Sequence, residues 1–201
     1  MNDDHDGWRV LARADWPEEG ETAPLPSVPG FMGSRLVPLT VHVAGLCLGR
    51  AYGRSPATPE RSERTGVLLV TARGDVENGI AIARAVDGGR RASPLLFFQS
   101  IPNSVLGHIT GKWGLGGPVL CTSPAGDPWA EALEICRGLI ESGDADEVLA
   151  ITAEQGCLEG ESDTARARLL APSPESATGS GVPLRGAAPH ENHPHDRRSE
   201  R

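Results

Sequence analysis

The chain has 201 residues, with 19 Lys and Arg against 27 Asp and Glu, for a formal net charge of -8. That length supports one sizeable hydrophobic core and disfavours two well-packed domains. The acidic balance argues against nonspecific binding to nucleic acid or to anionic membranes and leaves protein partners open. No basic and apolar leader opens the sequence, and no apolar run approaches the roughly 20 residues needed to cross a bilayer. The expectation is a cytoplasmic protein without a membrane span.

The first 30 residues are rich in acid, glycine and proline, with Trp8 and Trp16 as isolated anchors, and read as a loose arm that adds at most one short element. From Ser34 to Tyr52 the pattern becomes coherent. Leu36, Leu39, Val43, Leu46 and Cys47 recur at helical spacing, and Pro38 is tolerated because a first-turn amide has no intrahelical partner. Gly66–Ala72, GVLLVTA, is a short apolar strand rich in branched side chains. Asp75 then caps a helix with Val76, Ile80, Ala83 and Val86 on one side. A further helix starts near Asn103 and carries Val105, Leu106, Ile109 and Trp113.

Pro118–Thr122 reads as a strand, followed by the turn Pro124-Ala125-Gly126-Asp127-Pro128. The helix after it has the clearest periodicity in the chain: Asp127 as cap, Pro128 at the first helical position, then Trp129, Leu133, Cys136 and Ile140 on one face. Gly143 and Asp144 end it before a strand over Glu147–Thr152. Alternating strands and helices favour an α/β layered domain, with helices covering both faces of apolar strands. Residues 160–201 turn polar and rich in Pro, Gly and Ser, so they read as a largely disordered tail in which Leu169-Leu170 and Gly181–Leu184 offer one marginal strand.

Cys47, Cys121, Cys136 and Cys157 are widely separated and none belongs to a CxxC pair. Cys47 and Cys136 fall within apolar helical patterns, where a small buried thiol is ordinary, so core thiols are expected ahead of disulfides or metal ligation. Neither GxGxxG nor GxxxxGK[ST] is present, and no cofactor is expected.

Three ordered segments, SRLVPLTVHVAGLCL, GVLLVTARGD and LLFFQSIPNSVLGHITGKWGLGGP, carry a family resemblance over about residues 34–154. The stretch resembles the N-terminal half of a β-ketoacyl synthase. It is especially similar to the short ketosynthase-like and chain-length-factor-like partners of aryl-polyene and related type II fatty-acid or polyketide pathways. The resemblance implies an α/β fold of the thiolase-like N-terminal half, a layered mixed sheet with flanking helices. Together with the composition of the two ends, this gives an expected layout of a flexible arm at 1–30, a ketosynthase-like N-terminal domain at 31–159 and a largely disordered tail at 160–201.

In that family the nucleophilic cysteine sits at the turn after the GP-initiated strand, and two histidines of a second half assist. Matching GPVLCTSPAG to the family's strand and turn puts Gly126 at the nucleophile position, and glycine cannot carry an acyl group. Cys121, five residues earlier, Ser123, His108 and Asp127 are the nearest alternative groups for an acyl-thioester chemistry of a different design. Each also has an ordinary structural role: Cys121 in the strand, His108 packed on a helix, Asp127 as a cap. Asp75 and Glu131 likewise read as helix-terminal charges. His190, His193 and His195 lie in PHENHPHDRR, without an apolar framework to hold them against the turn, and an incidental polar tail outweighs a metal site there.

The leading functional expectation is a catalytically inactive ketosynthase-like subunit that partners a ketosynthase, or a complementary ketosynthase-like subunit, and shapes or stabilises its acyl site. Ketosynthases pair through the strand near the nucleophile turn. A chain stopping at Arg201 lacks the family's second half and is expected to expose a partner-facing surface. An acyl carrier protein is a further candidate partner, although carrier proteins are acidic and docking one calls for a local basic patch. The alternative is a stand-alone enzyme acting on acyl thioesters through Cys121, Ser123, His108 or Asp127.

Overall fold

The computed structural model describes residues 7–18 and 24–173. In chain order the elements are strand β1 (Trp8–Trp16), helices α1 (Leu36–Tyr52) and α2 (Pro59–Ser62), strand β2 (Thr65–Val70), helices α3 (Val76–Asp87), α4 (Pro94–Gln99) and α5 (Asn103–Trp113), strand β3 (Val119–Thr122), helix α6 (Pro128–Glu141), and strands β4 (Glu147–Glu154) and β5 (Thr164–Pro172).

The strands form one mixed sheet in the order β1-β5-β4-β2-β3. β2 runs parallel to β3 and β4, whereas β5 is antiparallel to both β4 and β1. β2 is buried at every position, as an apolar parallel strand covered on both faces should be. Because side chains alternate across the sheet, Val67, Leu69, Leu149 and Ile151 meet α1 and α5 on one face, while Leu68, Val70, Val148 and Ala150 meet α6 on the other. α1 and α5 supply half of the first core, with Leu36, Leu39, Val43, Cys47, Val105, Leu106 and Ile109 among their residues. α6 lies over β2 and β4 and contributes Ala132 and Cys136.

The predicted caps form. Asp75 accepts from the Asn78 backbone N–H at 3.2 Å, and Asp127 accepts from that of Ala130 at 2.7 Å. Cys47 and Cys136 are fully buried thiols.

Two parts of the sequence expectation are corrected. The segment read as a loose arm over 1–30 contains β1, a nine-residue edge strand in register with β5 from Trp8 opposite Pro172 to Trp16 opposite Ala165. The segment read as tail from 160 contains β5, a nine-residue strand between β1 and β4. The folded unit therefore runs past both expected boundaries. The physical reason lies in ARAD and TARAR, where charged residues alternate with alanines. Ala14, Ala165 and Ala167 lie flat against the α1 side of the sheet, and the charged residues stand on the opposite face. Gly181–Leu184, His190, His193 and His195 lie outside the described residues. Among those described, no helix is long and apolar enough to cross a membrane and no cluster of three His, Cys, Asp or Glu side chains is arranged to hold a metal ion.

Candidate functional site

The turn between β3 and α6 is the site singled out by sequence, and it is built from both strand ends. The Thr71 backbone N–H donates to the Thr122 carbonyl at 3.1 Å, and the Ser123 hydroxyl donates to the Ala72 carbonyl at 3.2 Å, so the loop after β2 and the loop after β3 are tied together. The Ala72 N–H in turn donates to the Glu154 carboxylate at the end of β4. Below it, Gln155 is buried and its carbonyl oxygen accepts from the Val76 N–H at 3.0 Å while its amide donates to Glu77 at 3.1 Å. Asp75 is buried in this network, and desolvation raises its carboxyl pKa above the usual range against the opposing pull of its bonds to Ser34 and Asn78.

At Gly126 the backbone N–H donates to the Glu131 carboxylate, one turn into α6. Asp127 occupies the N-cap and Pro128 follows at the first helical position. The turn thus presents no side chain at 126, and two carboxylates, Asp127 and Glu131, take up the N–H groups of Ala130 and Gly126. An oxyanion needs free donors aimed at the place where charge develops. Here the donor at the glycine is already bonded to an anion.

The alternative groups are dispersed. Cys121 on β3 packs against the α1–α5 core, and burial raises its thiol pKa. A buried thiol with no cationic neighbour is a weak nucleophile. His108 on α5 stands edge-on to Phe31, with ring centroids 5.9 Å apart. Ser123 and Asp127 hold the bonds already described. No hydrogen bond joins any two of Cys121, Ser123, His108 and Asp127.

Two features were not legible in the residue pattern. The first is on the α6 side of β1 and β5. Arg168 is only 7% exposed, donates to the carbonyls of Ala14 and Ala167 at 3.1 and 2.9 Å, and binds both carboxylate oxygens of Asp15 at 3.1 Å. The guanidinium groups of Arg166 and Arg168 lie 5.3 and 6.0 Å from the centroid of the Trp129 ring, within cation–π range. The TARAR alternation was the available signal.

The second feature is an uncovered apolar band. On α3 only Asn78 is buried; of the predicted stripe Val76 is half-buried, and Ile80, Ala83 and Val86 are exposed. Beside it, Leu95, Phe97 and Phe98 of α4 are exposed, the last two at 56% and 66%, with their rings 6.2 Å apart. Ile101 extends the band toward α5, and α5 contacts β3, where Val119 is exposed on the free edge of the sheet. Arg84, Arg90 and Arg91 flank the band and are exposed, with Asp87 among them.

No protein-family model matches the sequence, and no curated protein is similar to it at the sequence level. Solved structures are similar in fold. The complex of the ketosynthase ApeO with its chain length factor ApeC, from Xenorhabdus doucetiae, contains a chain that superposes with a TM-score of 0.65 at 16% identity, covering 83% of this chain and 79% of that one. The ishigamide ketosynthase/chain length factor matches at 0.60 and 20% identity, covering 78% of this chain and 48% of that one. A type II polyketide acyl-carrier protein in complex with its ketosynthase, AntDE:AntF, matches at 0.56 and 17% identity over 72% of this chain and 45% of that one. The chain therefore spans about four fifths of the first of these chains and about half of the other two. The likeness establishes the fold: a mixed five-stranded α/β sheet with flanking helices, of the thiolase-like, ketosynthase-like kind expected from residues 34–154.

Proposed function

We propose that the protein is a noncatalytic ketosynthase-like subunit that binds a ketosynthase and shapes or stabilises its acyl site. The uncovered apolar band on α3 and α4 carries this reading. A helix with an apolar stripe is stable when that stripe is buried, and exposed Phe97 and Phe98 beside it make a contiguous surface of the kind that marks protein interfaces. The turn supports the noncatalytic part, because Gly126 offers no nucleophile and its N–H is bonded to Glu131. Structures of similar fold are complexes of a ketosynthase with a chain length factor, which is consistent with such a partner. An acidic acyl carrier protein suits the same face. Although the chain is acidic overall, Arg84, Arg90 and Arg91 supply a local basic patch beside the apolar band.

The test is affinity purification of the tagged full chain from its native cell, with mass spectrometry and stoichiometry, beside a Phe97→Ser, Phe98→Ser variant. The expected result is a stoichiometric ketosynthase with the parent chain and its loss with the variant, whose melting temperature is unchanged because both rings are exposed. Recovery of the chain without any ketosynthase, or equal recovery with the variant, overturns the proposal.

A further inference from the structure

Away from the α3–α4 face, the α6 side of the β1–β5 pair carries no exposed large apolar residue among those described, so it lacks the character of a protein-docking surface. It opens instead into a cleft of about 280 Å³ between α6 and the two strands, walled by Trp8, Val10, Trp129, Leu133 and Leu170. That size lies close to the lower end of small-molecule sites, about 300 Å³.

The polar groups at the cleft are unevenly committed. Arg168 is held by Asp15 and two carbonyls, and the Asp127 carboxylate is engaged by the α6 cap. Arg166, which also borders the cleft, is half exposed and makes only the 3.5 Å ion pair with Asp15 besides its stack on Trp129. Trp8 is 6% exposed, and its indole N–H is buried without a hydrogen-bond partner. That N–H has no surface toward the cleft, so Trp8 contributes its ring as a wall. The under-committed polar group at the cleft is the Arg166 guanidinium, set among aromatic and aliphatic walls. The complementary molecule brings an anionic acceptor and a compact apolar body.

We propose that the cleft between α6 and the β1–β5 pair binds a small amphipathic monocarboxylate, with the carboxylate on Arg166 and the apolar body between Trp8 and Trp129. This site is separate from the α3–α4 face and stands or falls independently of the partner reading.

The experiment is a titration of the full chain, labelled with ¹⁵N at its tryptophans, with octanoate and with octanol, reading the indole N–H resonances. Trp129→Phe, Trp113→Phe and Trp16→Phe variants assign three of the four signals and leave the fourth to Trp8. Octanoate is expected to shift Trp8 and Trp129 saturably and to leave Trp113, on the opposite side of the sheet, in place. Octanol is expected to bind at least about tenfold more weakly, the loss of one charge-assisted hydrogen bond. Arg166→Gln should weaken octanoate by a similar factor and leave octanol unchanged; the unmoved Trp113 resonance then reports that the variant is folded. Absence of a saturable shift below the micellar range, equal binding of octanol and octanoate, or octanoate binding indifferent to Arg166→Gln overturns the proposal.

Discussion

Removing the Asp15 carboxylate isolates a buried cation, and the structure sets the size of the effect. Arg168 is almost wholly buried, and its Nη2 makes its two bonds to Asp15 at 3.1 Å, while Nη1 keeps the carbonyls of Ala14 and Ala167. Breaking a fully buried ion pair from one side costs about 3–5 kcal/mol. Asp15 itself is 46% exposed, so water reaches the vacated position and the loss shrinks to about 1.5–2.5 kcal/mol, the range of a charge-assisted bond. Asp15→Ala should lower the urea midpoint accordingly and the melting temperature by about 4–8 °C. The sharper test is the double variant Asp15→Ala, Arg168→Met. It removes the stranded charge and leaves an unbranched side chain beneath Trp129, so it should regain at least about 1 kcal/mol over Asp15→Ala alone. Equilibrium unfolding followed by far-UV circular dichroism and tryptophan fluorescence measures both. An Asp15→Ala variant within about 0.5 kcal/mol of the parent, or a double variant no more stable than the single one, refutes the reasoning.

Thiol chemistry gives a second expectation. Burial pushes the thiols of Cys47 and Cys136 up to about 12, and raises that of Cys121, whereas Cys157 is exposed. Alkylation of the native chain at neutral pH should therefore modify Cys157 first, Cys121 slowly, and Cys47 and Cys136 only on unfolding, as read by peptide mass spectrometry. Glu161 provides a pH test. The Arg73 hydrogen bond and the backbone N–H groups of Cys157 and Leu158 hold its carboxyl at about 2 against an ordinary 4.5. A folded value below the unfolded one contributes stability that is present above pH 4.5 and is lost as pH falls from there through about 2. Amide-exchange protection at Cys157 and Leu158 should fall over that window in the parent chain and show no such step in Glu161→Gln. Finally, a Cβ at Gly126 meets only the Glu131 carboxylate oxygen, at an ordinary 3.4 Å, so Gly126→Cys should fold with a melting temperature within about 2 °C of the parent. Beside two carboxylates its thiol should not self-acylate from an acyl thioester faster than exposed Cys157. Rapid acylation at position 126 contradicts the reading that this turn does not activate a nucleophile.

The parts of the fold that the sequence announced are those in which one local rule acts alone. Asp127 and Pro128 start α6 because a carboxylate cap and a residue without an N–H both suit a helix N-terminus, and the helix begins there. β2 announces itself through GVLLV because burial on both faces demands an unbroken apolar run. Over ARAD and TARAR, β1 and β5 obey a different economy: one face is Ala packed flat on α1, the other is Arg and Asp neutralised by one another, so in β5 only Leu169-Leu170 marks a strand by hydropathy. Their pairing is nonlocal, Trp8 opposite Pro172, and no window along the chain contains both partners. The same limit governs the surface. Periodicity correctly gathers Val76, Ile80, Ala83 and Val86 on one side of α3, but a period states only that residues share a face, not that anything covers it. In this chain Ile80, Ala83 and Val86 stay exposed although their period is that of a core-facing stripe.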